Sequence, residues 1–345
     1  MRSGKQFTAS SILVGIRKRV KYRPMSKKIP LTLACGDYES IRALKERTVK
    51  PDGIELTLLT DMTANVRHGR MIRNREFDVA ELSMSNYLVA KHLGLPFVAI
   101  PVFLHRRFRH GFIFVNAAKG ITKPTDLIGK KVGLFNFHAT ANLWIRGILE
   151  HEHSVPHQEI HWFKEDDEKL EWTPPAGLKI EKIPAGKRIV DMLVTGELDA
   201  VIDPELIQPI LDKDKRVSRL FPNYRDLEID YFKRTGIFPI MHTTAIKQEI
   251  VEKHPWVPIN LMQAFEESKN AAYKRMENPR IVPLAWFRHF LEEQQELFGS
   301  DPWVYGLGDT NRKNLETLMQ YSLEQGLINR KMALEELFIN TAAHS

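Results

Sequence analysis

The chain of 345 residues is 43% hydrophobic and 27% charged, which is typical of a soluble globular protein large enough for two lobes. Its formal net charge of +7 comes partly from the first 28 residues and no nucleic-acid-binding motif accompanies it, so we expect no nucleic-acid partner. Cys35 is the single cysteine, which excludes an internal disulfide and a multi-cysteine zinc site, and no apolar run is long enough to span a membrane.

Residues 1–28 form a basic segment whose one apolar run, Ile12–Ile16, is short. Three basic residues follow that run at once and no small-residue cleavage site comes after it, which argues against a secretory signal. We predict a disordered basic extension over residues 1–28, with the folded chain starting at residue 29. We accordingly expect a cytoplasmic protein without a membrane partner.

The first part of the folded chain alternates strand and helix. Apolar runs at Ile29–Cys35 and Ile54–Leu59 predict two strands, and a helix is predicted from Thr63 to Asn74. A third strand, Asp78–Leu82, leads into a helix that Ser83 or the nearby Ser85 would cap. Such alternation is typical of an α/β fold with a parallel sheet.

The next predicted strand, Phe97–Phe103, is nearly all apolar, as expected of a buried parallel strand, and it leads into a cluster of histidines and arginines. In an extended conformation this cluster has two faces, one with His105, Arg107 and Arg109 and the other with Arg106, Phe108 and His110. Charge at the end of a buried strand is costly unless an anion meets it, and open α/β sheets bind ligands at that end. We therefore favour an anionic small ligand here over a solvated basic edge.

The middle of the chain repeats the pattern, with strands predicted at Phe112–Val115 and Lys130–Phe135 and a helix over Ala141–His151. Thr140 at the cap of that helix would leave free backbone N–H groups, which can bind an anion. An ordinary cap without a ligand is the alternative. Four histidines follow at positions 151, 153, 157 and 161, and their spacing favours a surface loop over a metal site.

An internal repeat links the two halves. Arg70–Ala80 and Asp191–Val201 each read as a helix end, an acidic turn and a strand, and each precedes a predicted helix start, at Ser83 and at Asp203 followed by Pro204. Two copies of one plan indicate two similar lobes that face a cleft. This is the architecture of type II periplasmic binding proteins.

The C-terminal part is predicted to be mostly amphipathic helix. Leu261, Ala264 and Phe265 are expected to pack on one helix and Leu315, Leu318 and Met319 on another. A further apolar group is expected in the core rather than around a ligand: Trp286, Phe287, Phe290 and Leu291.

Several short motifs, in order and at matching spacing, resemble those of the 4,5-dihydroxyphthalate decarboxylase family. They are Glu81-Leu-Ser83, Pro101-Val-Phe103, Arg107-Phe-Arg-His110, Thr140-Ala141, Trp144-x-Arg-Gly-Ile-Leu149 and Ile160-x-Trp162. The resemblance extends from about Leu31 to the last helices. It implies a two-lobed, type II periplasmic-binding-protein-like α/β fold, each lobe a mixed, mostly parallel sheet flanked by helices, with a ligand cleft between them.

In that fold the first lobe would hold residues 29–113 and 236–345, and the second residues 114–235. The return to the first lobe fits a strand over Thr235–His242, with His242 at its end. We expect a homo-oligomer.

The resemblance further implies non-oxidative decarboxylation of 4,5-dihydroxyphthalate to 3,4-dihydroxybenzoate and CO2, in aromatic-acid catabolism and without an organic cofactor. A site of this kind needs cations for the carboxylates, for which Arg107 and Arg109 are candidates. It needs an acid that protonates ring carbon, either His110 or His242, and a base for a ring hydroxyl, Glu81. Further candidate substrate contacts are Tyr38, Ser83, Arg106, Thr140 and Asp203, with Phe108 and Trp144 as an apolar wall.

Two other functions stay open. A solute-binding protein for an aromatic carboxylate would use the same fold and the same arginines. A regulatory ligand-binding domain is disfavoured because the sequence has no evident helix-turn-helix segment. A divalent metal ion held by Glu81 and histidines is a further alternative, because a catechol can chelate one.

Overall fold

The computed structural model describes residues 28–339 of the chain. The extension predicted for residues 1–28 therefore lies, apart from Lys28, outside the described residues.

Within residues 28–339, eleven strands form two sheets. In chain order they are β1 (Ile29–Ala34), β2 (Ile54–Leu59), β3 (Val79–Ser83), β4 (Phe97–Ile100), β5 (Ile113–Asn116), β6 (Lys131–Leu134), β7 (His161–Lys164), β8 (Ile180–Lys182), β9 (Ala200–Ile202), β10 (Val217–Arg219) and β11 (His242–Lys247). The strand order is β2-β1-β3-β11-β4 in the first sheet and β10-β5-β9-β6-β7-β8 in the second. Both sheets are mixed.

In the described part of the chain, twelve α-helices flank these sheets. They are α1 (Arg42–Lys45), α2 (Ala64–Asn74), α3 (Met84–His92), α4 (Thr140–His153), α5 (Ile189–Thr195), α6 (Gln208–Leu211), α7 (Tyr224–Thr235), α8 (Gln248–Lys253), α9 (Val257–Met276), α10 (Phe287–Phe298), α11 (Asp309–Glu324) and α12 (Leu334–Leu337). None of the helices within residues 28–339 is both long and apolar enough to cross a membrane. The predicted lobe boundaries stay a prediction.

The first sheet brings four strand ends to one edge. β1 pairs in parallel with β2 and β3, whereas β11 is antiparallel to β3 on one side and to β4 on the other. The carboxyl ends of β1, β3 and β4 therefore meet the amino end of β11. The prediction of a parallel pairing for Phe97–Phe103 was wrong, because β11 lies between β3 and β4 and the strand ends at Ile100.

β11 also differs from the expected strand over Thr235–His242. α7 continues through Thr235, and Ile240 forms only an isolated bridge with Arg106, so the regular strand begins at His242. His242 consequently lies at the same sheet edge as the end of β3, opposite Ser83 in the strand register.

Two predicted helix caps do not form. Ser83 precedes α3, but its hydroxyl bonds to the Thr140 hydroxyl at 2.8 Å instead of capping the helix. Asp203 accepts a hydrogen bond from the backbone N–H of Glu205 at 2.8 Å and closes a turn, and the next helix begins only at Gln208.

The largest buried apolar cluster runs through α3, α4 and α11 and joins residues of both sheets, including Leu82 and Leu134. The predicted core positions of α9 and α11 are confirmed as buried. The core prediction for α10 was wrong: Trp286 is 71% and Phe290 53% exposed. Phe287 and Leu291 are half-buried.

The C-terminal segment covers the outer side of β4. Phe338 bridges Ala99 in parallel, and the N–H of Ile339 donates to the Ala99 carbonyl at 3.0 Å. The Tyr87 hydroxyl joins both, since it donates to the Leu337 carbonyl and accepts from the Ala99 N–H.

Candidate active site

Glu81 is the centre of a buried polar cluster at the edge of the first sheet. Its carboxylate accepts hydrogen bonds from the Gly36 N–H (2.8 Å), the Tyr38 hydroxyl (2.7 Å), the Arg67 guanidinium (2.6 Å) and His242 Nδ1 (2.6 Å). Burial alone would raise the pKa of Glu81, but His242 and Arg67 outweigh it and hold that pKa well below its usual range. The Glu81 carboxylate is therefore ionised.

The fold explains why these groups meet. Gly36 follows β1, Glu81 lies in β3, Arg67 lies on α2 and His242 opens β11. A side chain at position 36 would collide with the Tyr38 ring, because a Cβ there would lie 2.6 Å from a ring carbon. The glycine thus lets the backbone N–H and the Tyr38 hydroxyl reach the same carboxylate.

His242 has one ring nitrogen left for a substrate. The ionised Glu81 carboxylate can only accept, so Nδ1 of His242 carries a proton and Nε2 is the remaining functional atom. The His242 side chain is 13% exposed, whereas Glu81 is fully buried. Nε2 can accordingly exchange a proton with a substrate, while Glu81 holds the orientation of the ring through Nδ1.

Two further histidines flank the His242 ring edge-on, His68 at 4.9 Å and His105 at 4.8 Å between ring centroids. Burial, with the nearby His242 adding to it, lowers the pKa of His68 well below its usual value and that of His105 to about 2. Both rings are neutral as a result. His105 also stacks on Tyr38 at 6.2 Å.

Arg109 and Arg107 lie side by side over the Phe112 ring, at 5.3 and 4.5 Å from its centroid. Arg109 is buried and donates to the Pro204 carbonyl at 2.8 Å, and burial lowers its pKa to about 9. Arg107 is 39% exposed and donates to Glu205 at 3.1 Å. Both arginines help to lower the His105 pKa, so their charge acts on the histidine cluster.

A group of hydroxyls joins the two sheets beside His242. Thr140 Oγ1 contacts the Ser83 hydroxyl at 2.8 Å and the Ser85 hydroxyl at 3.0 Å, and it accepts from the Ser85 N–H at 3.1 Å. Thr140 is the first residue of α4 rather than its cap. All three residues are buried, and their hydroxyls bond to one another.

A protein carboxylate binds the backbone just before α4. Glu168 accepts from the backbone N–H groups of Phe137 at 2.7 Å and His138 at 3.0 Å. The Ala139 N–H donates to the Asn136 side chain at 2.9 Å. These three N–H groups precede the helix, which begins at Thr140, so the prediction of free N–H groups for a ligand anion in its first turn stays a prediction.

His110 does not join the cluster. It is buried against Tyr231 and Phe221, with ring centroids 5.3 and 6.0 Å away, and its Nδ1 lies 3.8 Å from Glu228. Burial, with His153 nearby, lowers its pKa to about 4. The choice between the two candidate acids therefore favours His242.

Two other predicted contacts have structural roles instead. Arg106 is buried, and its terminal nitrogens donate to the carbonyls of Phe238 and Val304 and to the side chain of Asn311. Asp203 closes the turn with Glu205 described above.

The two aromatic side chains predicted as an apolar wall lie elsewhere. Phe108 packs in an aromatic group with Phe238 and Phe298. Trp144 is buried in the shared core, where its Nε1 donates to the Ile240 carbonyl at 3.0 Å. Trp144 is fully enclosed by its packing partners, and Phe108 is half-buried and lines an open pocket that does not include His242.

Sequence reasoning missed Arg67 and His68 and left His105 without a role. Arg67 and His68 are adjacent on an otherwise ordinary amphipathic helix, and both are buried. A buried basic pair on one helix is unusual, but recognising it requires knowing which face of α2 meets the sheet.

Among residues 28–339, no three or more His, Cys, Asp or Glu side chains are arranged to hold a metal ion. The histidines at the end of α4 and after it pair with separate carboxylates, His151 with Glu324 and His157 with Glu150, each at 2.7 Å. His161 pairs with Glu181 at 2.8 Å.

Comparisons with known proteins identify the family of this chain. A family model described as NMT1/THI5 like matches residues 50–160. The 4,5-dihydroxyphthalate decarboxylase of Comamonas testosteroni is 33% identical over 320 residues, which cover 90% of this chain and 96% of that protein. The protein of the same name from Pseudomonas putida is 32% identical over 213 residues, 60% of this chain and 82% of that protein.

Among solved structures, the periplasmic aliphatic sulphonate binding protein SsuA from Escherichia coli superposes with a TM-score of 0.52 at 14% sequence identity, over 90% of this chain and 91% of that chain. This likeness shows the fold alone, and it confirms the predicted two-lobed, periplasmic-binding-protein-like architecture. Because a third of the residues are identical over nearly the full length of the first relative, the chain belongs to the 4,5-dihydroxyphthalate decarboxylase family.

Proposed function

We propose that this protein is a carboxy-lyase that converts 4,5-dihydroxyphthalate to 3,4-dihydroxybenzoate and CO2 in phthalate degradation. The observation that carries the proposal is the pairing of His242 with the buried, ionised Glu81, at 2.6 Å. A pure binding site needs cations and hydrogen-bond donors, whereas a histidine held by a buried carboxylate, with one nitrogen free, is suited to proton transfer. Membership of the family supports the substrate.

The reaction requires one proton at the ring carbon that loses its carboxylate. In the proposed mechanism, the hydroxyl para to that carboxylate donates electron density into the ring, and protonated Nε2 of His242 delivers its proton to the carbon. The bond to the carboxylate then breaks, its electron pair restores the aromatic ring, and CO2 leaves. Glu81 stabilises the imidazolium before the transfer and is a positioning residue, because it is fully buried behind His242.

The ring hydroxyl needs a neutral hydrogen-bond acceptor near His242. Glu81 was the predicted base, but four donors already occupy its carboxylate. His105 fits the role better, since it is neutral, touches the His242 ring, and has a buried Nδ1 without a partner among the described residues.

The substrate carboxylates are proposed to bind Arg107 and Arg109. The ion pair between Arg107 and Glu205 is exposed and hence weak, so a substrate carboxylate can replace Glu205. Arg109 is fixed by the Pro204 carbonyl and supplies a preset charge. Both sit where the second sheet's Asp203–Glu205 turn approaches the first lobe.

The test is incubation of the purified protein with 4,5-dihydroxyphthalate, with and without a chelator, while CO2 and 3,4-dihydroxybenzoate are measured. Turnover in both samples would support the mechanism above, and turnover lost with chelator would add a divalent ion to it. The second candidate, a solute-binding protein, is favoured by the likeness to the sulphonate binding protein. Tight binding of the substrate without any product would establish that alternative.

Three further points belong to this proposal. We propose a cytoplasmic location, a homo-oligomer, and two lobes divided at residues 113/114 and 235/236. Cell fractionation and light scattering coupled to gel filtration test the first two. Limited proteolysis, with cleavage concentrated at the two crossovers, tests the third.

A further inference from the structure

An open pocket adjoins the candidate active site. It has a volume of about 290 Å³ and lies between the segment after β1, helices α9 and α10, and the segment before α11. Its size is near the lower end of the range of small-molecule sites. Its wall is largely aromatic and aliphatic, formed mainly by Tyr38, Leu104, Ala272, Tyr273, Met276 and Trp303.

The two charged residues at this wall, Lys269 and Glu39, already have ion-pair partners. Glu39 lies 3.0 Å from Arg275 and 3.6 Å from Arg42. Lys269 is buried, contacts Asp301 at 2.5 Å and Glu266 at 3.1 Å, and lies over the Tyr305 ring at 4.3 Å. The Tyr273 hydroxyl donates to the other oxygen of Asp301 at 2.7 Å. A charged ligand would have to break these pairs to find a partner, whereas an uncharged ring leaves them intact.

The pocket has a direct connection to the active site through one side chain. Tyr38 presents its ring to the pocket, while its hydroxyl donates to Glu81 at 2.7 Å. His105 also lines the pocket and contacts both Tyr38 and His242. The pocket and the histidine cluster thus share Tyr38 and His105, whereas neither Arg107 nor Arg109 lines the pocket.

From these observations we infer that the pocket is a separate binding site for an uncharged aromatic molecule of one or two rings, such as a phenol or naphthol. Aromatic side chains offer offset-stacked and edge-to-face contacts to such a ring. Gln294 and Ser40 at the wall supply hydrogen bonds for a single hydroxyl. The inference does not depend on the decarboxylase proposal, because binding is measured directly.

The experiment is calorimetric titration of the full chain with 2-naphthol. We expect saturable binding that is lost in Met276→Trp, whose indole fills the pocket, and kept in Asn270→Trp, which adds the same group on the exposed side of α9. Gln294→Trp, which fills the pocket from α10, serves if Met276→Trp does not fold.

A competition titration tests whether the pocket and the active site bind their ligands independently. Phthalate, a non-reacting dianion, should leave 2-naphthol binding in place. Absence of saturable binding, equal binding in the filled variants, or simple displacement by phthalate would each overturn the inference. Failure of the decarboxylation assay alone would leave it standing.

Discussion

Replacement of His242 tests the residue on which the chemistry depends. His242→Gln should lower decarboxylation by about 10²–10⁴-fold, because the variant has no group that can deliver the proton. Binding of phthalate should persist, since the arginines are untouched. Single-turnover assays and calorimetry would measure the two effects separately.

The matched control is His110→Gln, because His110 packs against Tyr231 and Phe221 in a different part of the protein. We expect turnover per folded molecule close to that of the unchanged protein. If His110→Gln loses turnover while His242→Gln retains it, the assignment of the acid is reversed.

Glu81 makes acid stability a second readout. The pKa of Glu81 is depressed in the folded protein, so the unfolded chain binds the proton more tightly. The resulting stabilisation of the folded protein is present above the carboxyl pKa of the unfolded chain. It is lost as the pH falls through the pKa of the folded protein. Glu81→Gln should remove this part of the acid slope. It should also cost about 3–5 kcal/mol at neutral pH, because Arg67 loses its buried partner.

Urea unfolding curves at neutral and acidic pH would measure both effects. The control is Glu76→Gln, since Glu76 is an exposed carboxylate paired with the exposed Arg70. An unchanged acid slope in Glu81→Gln would contradict the ionised state of this carboxylate.

Arg107 should affect substrate affinity more than the chemical step. Arg107→Ala should raise KM by about tenfold to a hundredfold with little change in kcat, as expected for the loss of one charged hydrogen bond to a carboxylate. Arg216→Ala, which removes another exposed arginine with its own acidic partner, Asp214, is the control. Steady-state kinetics would show the opposite pattern if Arg107 acted mainly in the transition state.

At the scale of whole elements, α9 and α10 illustrate how similar sequences can have different environments. Both helices carry apolar stripes, but Phe265 on α9 is fully buried, whereas Trp286 just before α10 is 71% exposed. Phe265→Ala should cost about 3–5 kcal/mol in unfolding free energy. Trp286→Ser should change the free energy of unfolding by no more than about 0.5 kcal/mol. Thermal denaturation of both variants measures these effects, and a large loss of stability in Trp286→Ser would contradict the exposed position of Trp286.

Local sequence patterns located most strands and helices within a few residues, because apolar runs and their flanking turns are local signals. The arrangement of β11 was not accessible in this way. β11 lies between β3 and β4 because the chain returns to the first sheet after it has passed through all the strands of the second sheet. The cap at Ser83 failed for a related reason, since the distant Thr140 bonds to its hydroxyl, whereas Asp203 closes a local turn with Glu205.

For the molecule as a whole, the sequence located the right region and only part of the site. Glu81 and His242 were predicted from motifs and strand ends, but their contact joins residues 161 positions apart. Arg106, Phe108 and Trp144 were assigned to the ligand because their types suit it, whereas packing directs them into the core or into a separate aromatic group. Residue type is visible in a sequence, but the direction of a side chain depends on distant partners.

The last described residues cover the outer side of β4, and this affects how the protein should be handled. An uncovered outermost strand can pair with another molecule and start aggregation, and here Phe338 and Ile339 occupy those backbone groups. Deleting the residues from Leu334 onward should therefore expose unpaired backbone groups of β4. The truncated protein should aggregate, and light scattering should increase, even if the cleft remains intact. An affinity tag is better attached at the N-terminus than at the C-terminus, close to the residues that cover β4.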